Sequence, residues 1–111
     1  MKLAIFVSSL FLTSVTAFSG RGTFYSPGTQ VGVCGQFIAD SDFAVALNTE
    51  QFTSSLCGSS ITITSGGKTA TAVIKDSCPI CGTNNLDMTE GLFEFFAPLS
   101  TGLIPITWDF V

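Results

Sequence analysis

Two aspartates eleven residues apart bracket a cysteine pair in the segment Val73-Ile-Lys-Asp76-Ser-Cys78-Pro-Ile-Cys81-Gly-Thr-Asn-Asn-Leu-Asp87-Met-Thr89. Carboxyl groups serve as acids, bases and hydrogen-bond acceptors. Two of them converging from the ends of a tied loop have the chemistry to hold a sugar or a water molecule. The plainer alternative makes Asp76 a turn cap and Asp87 the cap of a following helix. Cys78-Pro-Ile-Cys81 has the spacing of a redox pair, but such motifs usually open a helix in a strand-helix-strand unit. Here the motif follows a strand and precedes a polar loop, so a structural bridge is expected. The chain contains no histidine, which removes imidazole as a base and excludes Ser-His and Cys-His nucleophile pairs. No dinucleotide-binding glycine fingerprint and no Asn-x-Ser/Thr sequon occurs.

Short strands must carry these groups. Gly20 to Tyr25 reads as a first strand, with Thr23 and Tyr25 on one face by the two-residue period. Ser26-Pro-Gly-Thr29 is a turn, and Gly32-Val-Cys-Gly35 a tight backbone passage. Phe43-Ala-Val-Ala-Leu47 is a continuous apolar run, as in a buried strand, and Asn48 to Leu56 has room for a short helix. Ile61 to Thr64 and Thr69 to Ile74 form a hairpin across Ser65-Gly-Gly-Lys68, with Ile61 and Ile63 inward. Met88 to Ala97 reads as an amphipathic helix with Asp87 or Thr89 as its N-cap and Pro98 at its end. Gly102 to Val111 closes the chain as a strand whose Ile104, Ile106 and Trp108 share one face, which makes Trp108 a core residue. Five or six short strands with one or two short helices predict a small, closed, mainly β domain.

Residues 1 to 17 have the pattern of a secretory signal: Lys2, an apolar run from Leu3 to Leu12, and the small-residue site Val15-Thr-Ala17. The expected mature chain, 18 to 111, carries Arg21, Lys68 and Lys75 against eight carboxylates, a net charge of −5. That balance argues against nucleic acid as a partner. No later segment has the ~20 apolar residues of a membrane span, so no membrane association is expected after cleavage. Four cysteines, Cys34, Cys57, Cys78 and Cys81, suit a small exported domain that supplements a modest core with disulfides; sequence leaves three pairings open. Zinc is disfavoured, because its usual ligand sets use two close cysteine pairs or add histidine.

Taken together and in order, Gly22-Thr-Phe-Tyr25-Ser-Pro-Gly28, Val33-Cys-Gly35, Phe43-Ala-Val-Ala-Leu-Asn48, Cys57-Gly58, Val73-Ile-Lys-Asp76-Ser-Cys-Pro79, Leu86-Asp-Met-Thr89 and Gly102-Leu-Ile-Pro-Ile-Thr-Trp108 resemble the RlpA-like double-psi β-barrel family. Within it the chain is similar to the short secreted fungal loosenins, relatives of the first expansin domain and of barwin. The resemblance covers nearly all of 18 to 111. It implies a six-stranded double-psi β-barrel with one or two short helices, secreted and monomeric, with an open groove for cell-wall polysaccharide, glucan or chitin. The essential acid of expansins maps to Asp87, their strand-end Asp to Asp76, and their Thr-x-Tyr motif to Thr23 and Tyr25; these four are the expected groove floor. The resemblance also implies Cys34 paired with Cys57, as in barwin, leaving Cys78 to pair with Cys81.

Related glycosidases place a catalytic base just after the Thr-x-Tyr motif, where this chain has Ser26-Pro27-Gly28. The resemblance therefore implies loosening without hydrolysis and without a cofactor or metal. Asp40 and Asp42 remain as substitute bases for a weak glycosidase or lytic transglycosylase. Expansins carry His-Phe where this chain has Asn85-Leu86, and they add a second carbohydrate-binding sandwich. Tyr25 is the exposed aromatic best placed to stack on a sugar. A different class, a secreted protease inhibitor or host-interacting effector on the same barrel, would use the loops around Asp40-Ser-Asp42, Ser65 to Lys68 and Thr83 to Asn85.

Overall fold

The computed structural model describes residues 17–28 and 30–111. The signal segment read at 1 to 17 lies outside these residues except for Ala17. Six strands, β1 (Phe18–Tyr25), β2 (Ala44–Asn48), β3 (Ser60–Ser65), β4 (Lys68–Cys78), β5 (Leu86–Thr89) and β6 (Ile104–Phe110), close into a barrel in the order β1-β5-β2-β4-β3-β6. The β1/β5 and β2/β4 pairs are parallel and the others antiparallel. Closure leaves no sheet edge to be protected, which suits so small a β domain.

Alternation sends Ile61 and Ile63, Ala70, Ala72 and Ile74, Leu86 and Met88, and Ile104, Ile106 and Trp108 into one core. Trp108 is at its centre, with its ring centroid 4.5 Å from that of Phe18 and its indole N–H donating to Asn84 O at 2.9 Å. The expected buried strand is β2, which pairs with β4 and β5 and has all five of its residues buried.

Two expected helices differ. The one read from Met88 is α1 (Glu90–Phe96), because Leu86–Thr89 is taken up as a strand between β1 and β2. Asp87 is therefore a strand residue and caps nothing. Thr89 occupies the N-cap position, but its hydroxyl makes no cap bond and donates instead to Asp42 O. Seven residues are too few for a helix stable by itself, and α1 is held by burying Leu92 and Phe93, the latter 5.0 Å from the Phe24 ring. Between Asn48 and Leu56 the only helical turn is 3₁₀, Ser54–Leu56.

The β2/β4 pairing contains a register shift between Val45 and Ala46: Val45 faces Ile74, yet Ala46 faces Asp76, so Lys75 is an extra residue. On a regular strand Ile74 and Asp76, two apart, would share the inward face. The bulge reverses that phase and brings Asp76 to the outer face, the re-aiming that bulges provide beside functional sites.

Candidate functional site

Register assembles the site. Thr23 on β1 is opposite Asp87 on β5, Asp87 is opposite Ala46 on β2, and Ala46 is opposite Asp76 on β4. Four adjacent strands thus present Thr23, Asp87, Ala46 and Asp76 as one transverse row. Tyr25 lies two residues beyond Thr23, so it shares that face. The sequence reading named four of these five and missed Ala46, which it had placed within a uniformly apolar run. A methyl group between the two carboxylates keeps the floor shallow.

Thr23 Oγ1 donates to Asp87 Oδ1 at 3.0 Å, and the Tyr25 hydroxyl donates to Asp76 Oδ2 at 3.3 Å. Asp76 Oδ1 accepts two backbone N–H groups, from Val33 and Ser77, each at 2.9 Å. Asp76 therefore clamps the 31–34 loop onto β4. Gly32 makes that approach possible: a Cβ there would stand 2.5 Å from Lys75 O and 3.2 Å from Asp76 Cγ. Asp87, with Thr23 as its side-chain donor, keeps more acceptor capacity for a ligand.

Burial pushes the Asp87 carboxyl above the usual carboxylate range; the Thr23 hydrogen bond pulls it down, and the nearby Asp76 charge raises it again, with a net upward shift. Burial, followed by the charge of Asp76 and the hydrogen bond to it, raises the Tyr25 phenol well above its ordinary value, so it remains a donor. The ring is half-buried, which limits the stacking face expected of it.

Hollows flank the row on both sides. One of about 150 Å³ is lined by Tyr25, Ser26, Pro27, Gln30, Ile38 and Asp76. The other, about 220 Å³, has Thr23, Asp87, Asn85 and Arg21 on its polar side. Its apolar wall is Ile80 and Leu103 with the Cys78–Cys81 bridge. The second bridge, Cys34–Cys57, ties the 31–37 loop to the segment before β3. The ligand atoms of Cys78, Cys81 and Asp87 lie within 4.8 Å of one another. With both sulfurs joined in a disulfide, neither is a thiolate able to hold a metal.

Of the substitute bases, Asp42 is engaged by the Ala39 N–H at 3.0 Å and by Lys75 at 3.6 Å. Asp40 accepts the Ser26 hydroxyl on both oxygens, at 3.0 and 3.1 Å. Ser26 thus brings one exposed carboxylate toward the end of β1.

The loop from Cys81 to Asp87 depends on residues that sequence reading passed over. Asn48, fully buried, donates to Gln51 Oε1 at 2.7 Å and to Asn85 O at 3.1 Å, while its Oδ1 accepts the Gln51 N–H. Gln51 in turn donates to Asn84 Oδ1 and accepts from Asn84 N, both at 3.0 Å. A polar residue ending an apolar run was the available signal. Asn48→Ala strands buried partners, and the expected cost is about 2 kcal/mol in urea unfolding; a loss below ~0.5 kcal/mol would mean that the loop is held without it.

No family model matches the chain. Among curated proteins, a papain inhibitor of Streptomyces mobaraensis is 32% identical over 102 residues, covering 84% of this chain and 71% of that one. An Asp f 7 homolog allergen of Arthroderma benhamiae is 41% identical over 81 residues, covering 68% of this chain; the chain spans only 27% of the allergen's length. The solved Streptomyces papain inhibitor superposes with a TM-score of 0.80 at 30% identity, over 86% of this chain and 94% of the inhibitor. The apo expansin of Clavibacter michiganensis superposes with a TM-score of 0.79 at 27% identity, over 86% of this chain and 50% of the expansin. A mutant of that expansin, 24% identical to this chain, has been solved in complex with cellohexaose.

Proposed function

The chain belongs to the RlpA-like double-psi β-barrel family, and from that membership we propose that it is a secreted protein that binds cell-wall polysaccharide across the Thr23-Asp87-Ala46-Asp76 row and loosens it without cleavage. The observation that carries this reading is the row itself, two carboxylates and a hydroxyl on adjacent strands across the Ala46 methyl, with a hollow at each side. The expansin solved with cellohexaose supports it at the level of the shared barrel. In this reading a protonated Asp87 donates to a sugar hydroxyl, the Tyr25 oxygen, its proton held by Asp76, accepts from one, and Asp76 holds the groove wall. The two disulfides suit an extracellular setting. No bond is broken, because Ser26 stands where related glycosidases carry their base.

The test incubates the purified protein and its Asp87→Ala variant with cellulose, chitin and peptidoglycan, scoring bound protein, soluble sugar and fibre swelling together. Binding or swelling without soluble sugar, lost in the variant, is the expected result. Released sugar that disappears in Asp40→Asn would replace the proposal with a hydrolase using Asp40 as base. Absence of binding, swelling and sugar release would overturn it.

A second reading, inhibition of a papain-like protease, is favoured by the solved inhibitor's match over 94% of its length. It is also favoured by large exposed apolar side chains on the loops, Val31, Val33, Phe37 and Ile80. These tips lie at 31–37 and 79–81, the second in the same connection as the Thr83 to Asn85 loop that the sequence suggested. Stoichiometric inhibition of papain by both the parent protein and Asp87→Asn, with no polymer binding, would establish this reading in place of the first.

A further inference from the structure

The Cys78-Pro-Ile-Cys81 motif has no part in the proposed groove chemistry, yet its sulfurs line the same hollow as Asp87. Neither architecture nor chain entropy gives this bridge much to do. It joins residues only three apart, against twenty-three for Cys34–Cys57, and so removes less freedom from the unfolded chain. The loop it spans is also held by hydrogen bonds that do not need it. The Cys81 N–H donates to Cys78 O at 3.2 Å, and the Asn85 N–H to Gly82 O at 3.0 Å. Asn84 and Asn85 are further fixed by Gln51, Asn48, Trp108 and the Arg21 N–H.

The two sulfurs differ in access. Cys78 is buried at 5% exposure, while Cys81 is partly open. An incoming thiolate reaches Cys81 first, leaving Cys78 as the departing sulfur. Ile80, 95% exposed, and Leu103 form an apolar lip to the hollow, which Arg21 also lines. The Asp87 carboxyl, within 4.8 Å of both sulfurs, is placed to exchange a proton with them.

We propose that Cys78–Cys81 is a thiol–disulfide exchange site for a dithiol, with Asp87 as the proton donor to Cys78. A substrate thiolate attacks Cys81 Sγ, forming a mixed disulfide and breaking the Cys78–Cys81 bond. The Cys78 thiolate takes the proton of Asp87. The substrate's second thiol, after yielding its proton to Asp87, attacks the substrate sulfur of the mixed disulfide and releases Cys81, which is protonated from solvent. The dithiol is oxidised by two electrons to a disulfide, and Cys78 and Cys81 become thiols. The upward shift of the Asp87 carboxyl supports this role, because it extends the pH range in which a proton is available.

Dithiothreitol serves as the probe dithiol with the full-length oxidised protein, and maleimide trapping with mass spectrometry follows each cysteine over pH 5 to 8. Cys78 and Cys81 are expected to label while Cys34–Cys57 remains closed and the far-ultraviolet circular dichroism is unchanged. Asp87→Asn is expected to slow that opening by about tenfold or more, the scale of a weak general acid. In the parent protein, the rate per dithiothreitol thiolate is expected to fall as pH rises through the Asp87 titration, a readout that does not depend on any variant folding. A bridge that opens only when the barrel melts, or after Cys34–Cys57, would overturn the proposal. So would a rate per thiolate that is flat with pH, or equal rates in the parent and a folded Asp87→Asn variant.

Discussion

Asp87→Asn is expected to melt at a higher temperature than the parent protein at neutral pH. An unfolded aspartate titrates near 3.9, and the folded Asp87 titrates above its ordinary value because burial disfavours the charged form. Between those two values the folded state holds more protons than the unfolded state, so stability falls as pH rises through the window. Above the folded pKa the full cost of ionising a half-buried carboxyl beside Asp76 is present. Asparagine never ionises, and its side-chain oxygen still accepts the Thr23 hydrogen bond that now reaches Asp87 Oδ1. The gain in melting temperature should therefore develop as pH rises through the folded titration and disappear well below about pH 4, where the parent carboxyl is protonated in both states. Paired thermal melts from pH 3 to 8 check this. A parent protein more stable than the variant at neutral pH would mean that the ionised Asp87 is a structural asset. The same titration sets the expected pH dependence of loosening, strongest in mild acid, because only the protonated carboxyl donates to a sugar oxygen.

Trp108→Ala should have the largest effect on the fold, about 3–5 kcal/mol, by analogy with large-to-small changes in other cores. A domain of this kind has only about 5–15 kcal/mol in total. Trp108 is fully buried and lies against Phe18 and Phe110, with centroids at 4.5 and 5.4 Å. Its removal also takes the indole donor from Asn84 O. Asn84 has a φ of 70°, the left-handed conformation that an asparagine tolerates better than most residues, and it leads directly into β5. Loss of polymer binding under conditions where the variant remains folded is thus expected to accompany the loss of stability. Trp108→Phe retains most of the packing but not the donor, and should cost less than half as much. Urea unfolding of both variants, with binding measured alongside, separates the packing contribution from the hydrogen bond; equal losses in the two would assign the effect to the indole N–H alone.

Local pattern was a sufficient guide wherever one face of a strand was buried and the other wet. Ile61 with Ile63, and Ile104 with Ile106 and Trp108, alternate with polar or exposed residues, and their inward direction follows from the two-residue period. The same period failed for Met88 to Ala97. Leu86 and Met88 also alternate, but the segment is short enough to merge with a helical pattern, and only the neighbouring edges of β1 and β2 make it a strand. Ala46 was invisible as a site residue because β2 is buried on both faces, and a continuous apolar run carries no phase.

The family resemblance pointed to Thr23, Tyr25, Asp76 and Asp87, and the sequence by itself determined that a small, closed β domain would form and which side chains would fill it. Composition and period carry that information because burial acts residue by residue along each strand. Tertiary structure decided which of those groups meet. The extra residue Lys75 turns Asp76 out of the core and opposite Ala46, parallel pairing sets Thr23 beside Asp87, and the folded loop brings the Cys78–Cys81 sulfurs to the Asp87 carboxyl. Register between strands distant in the chain depends on which hydrogen-bonding edges face one another after closure, and no local pattern encodes it.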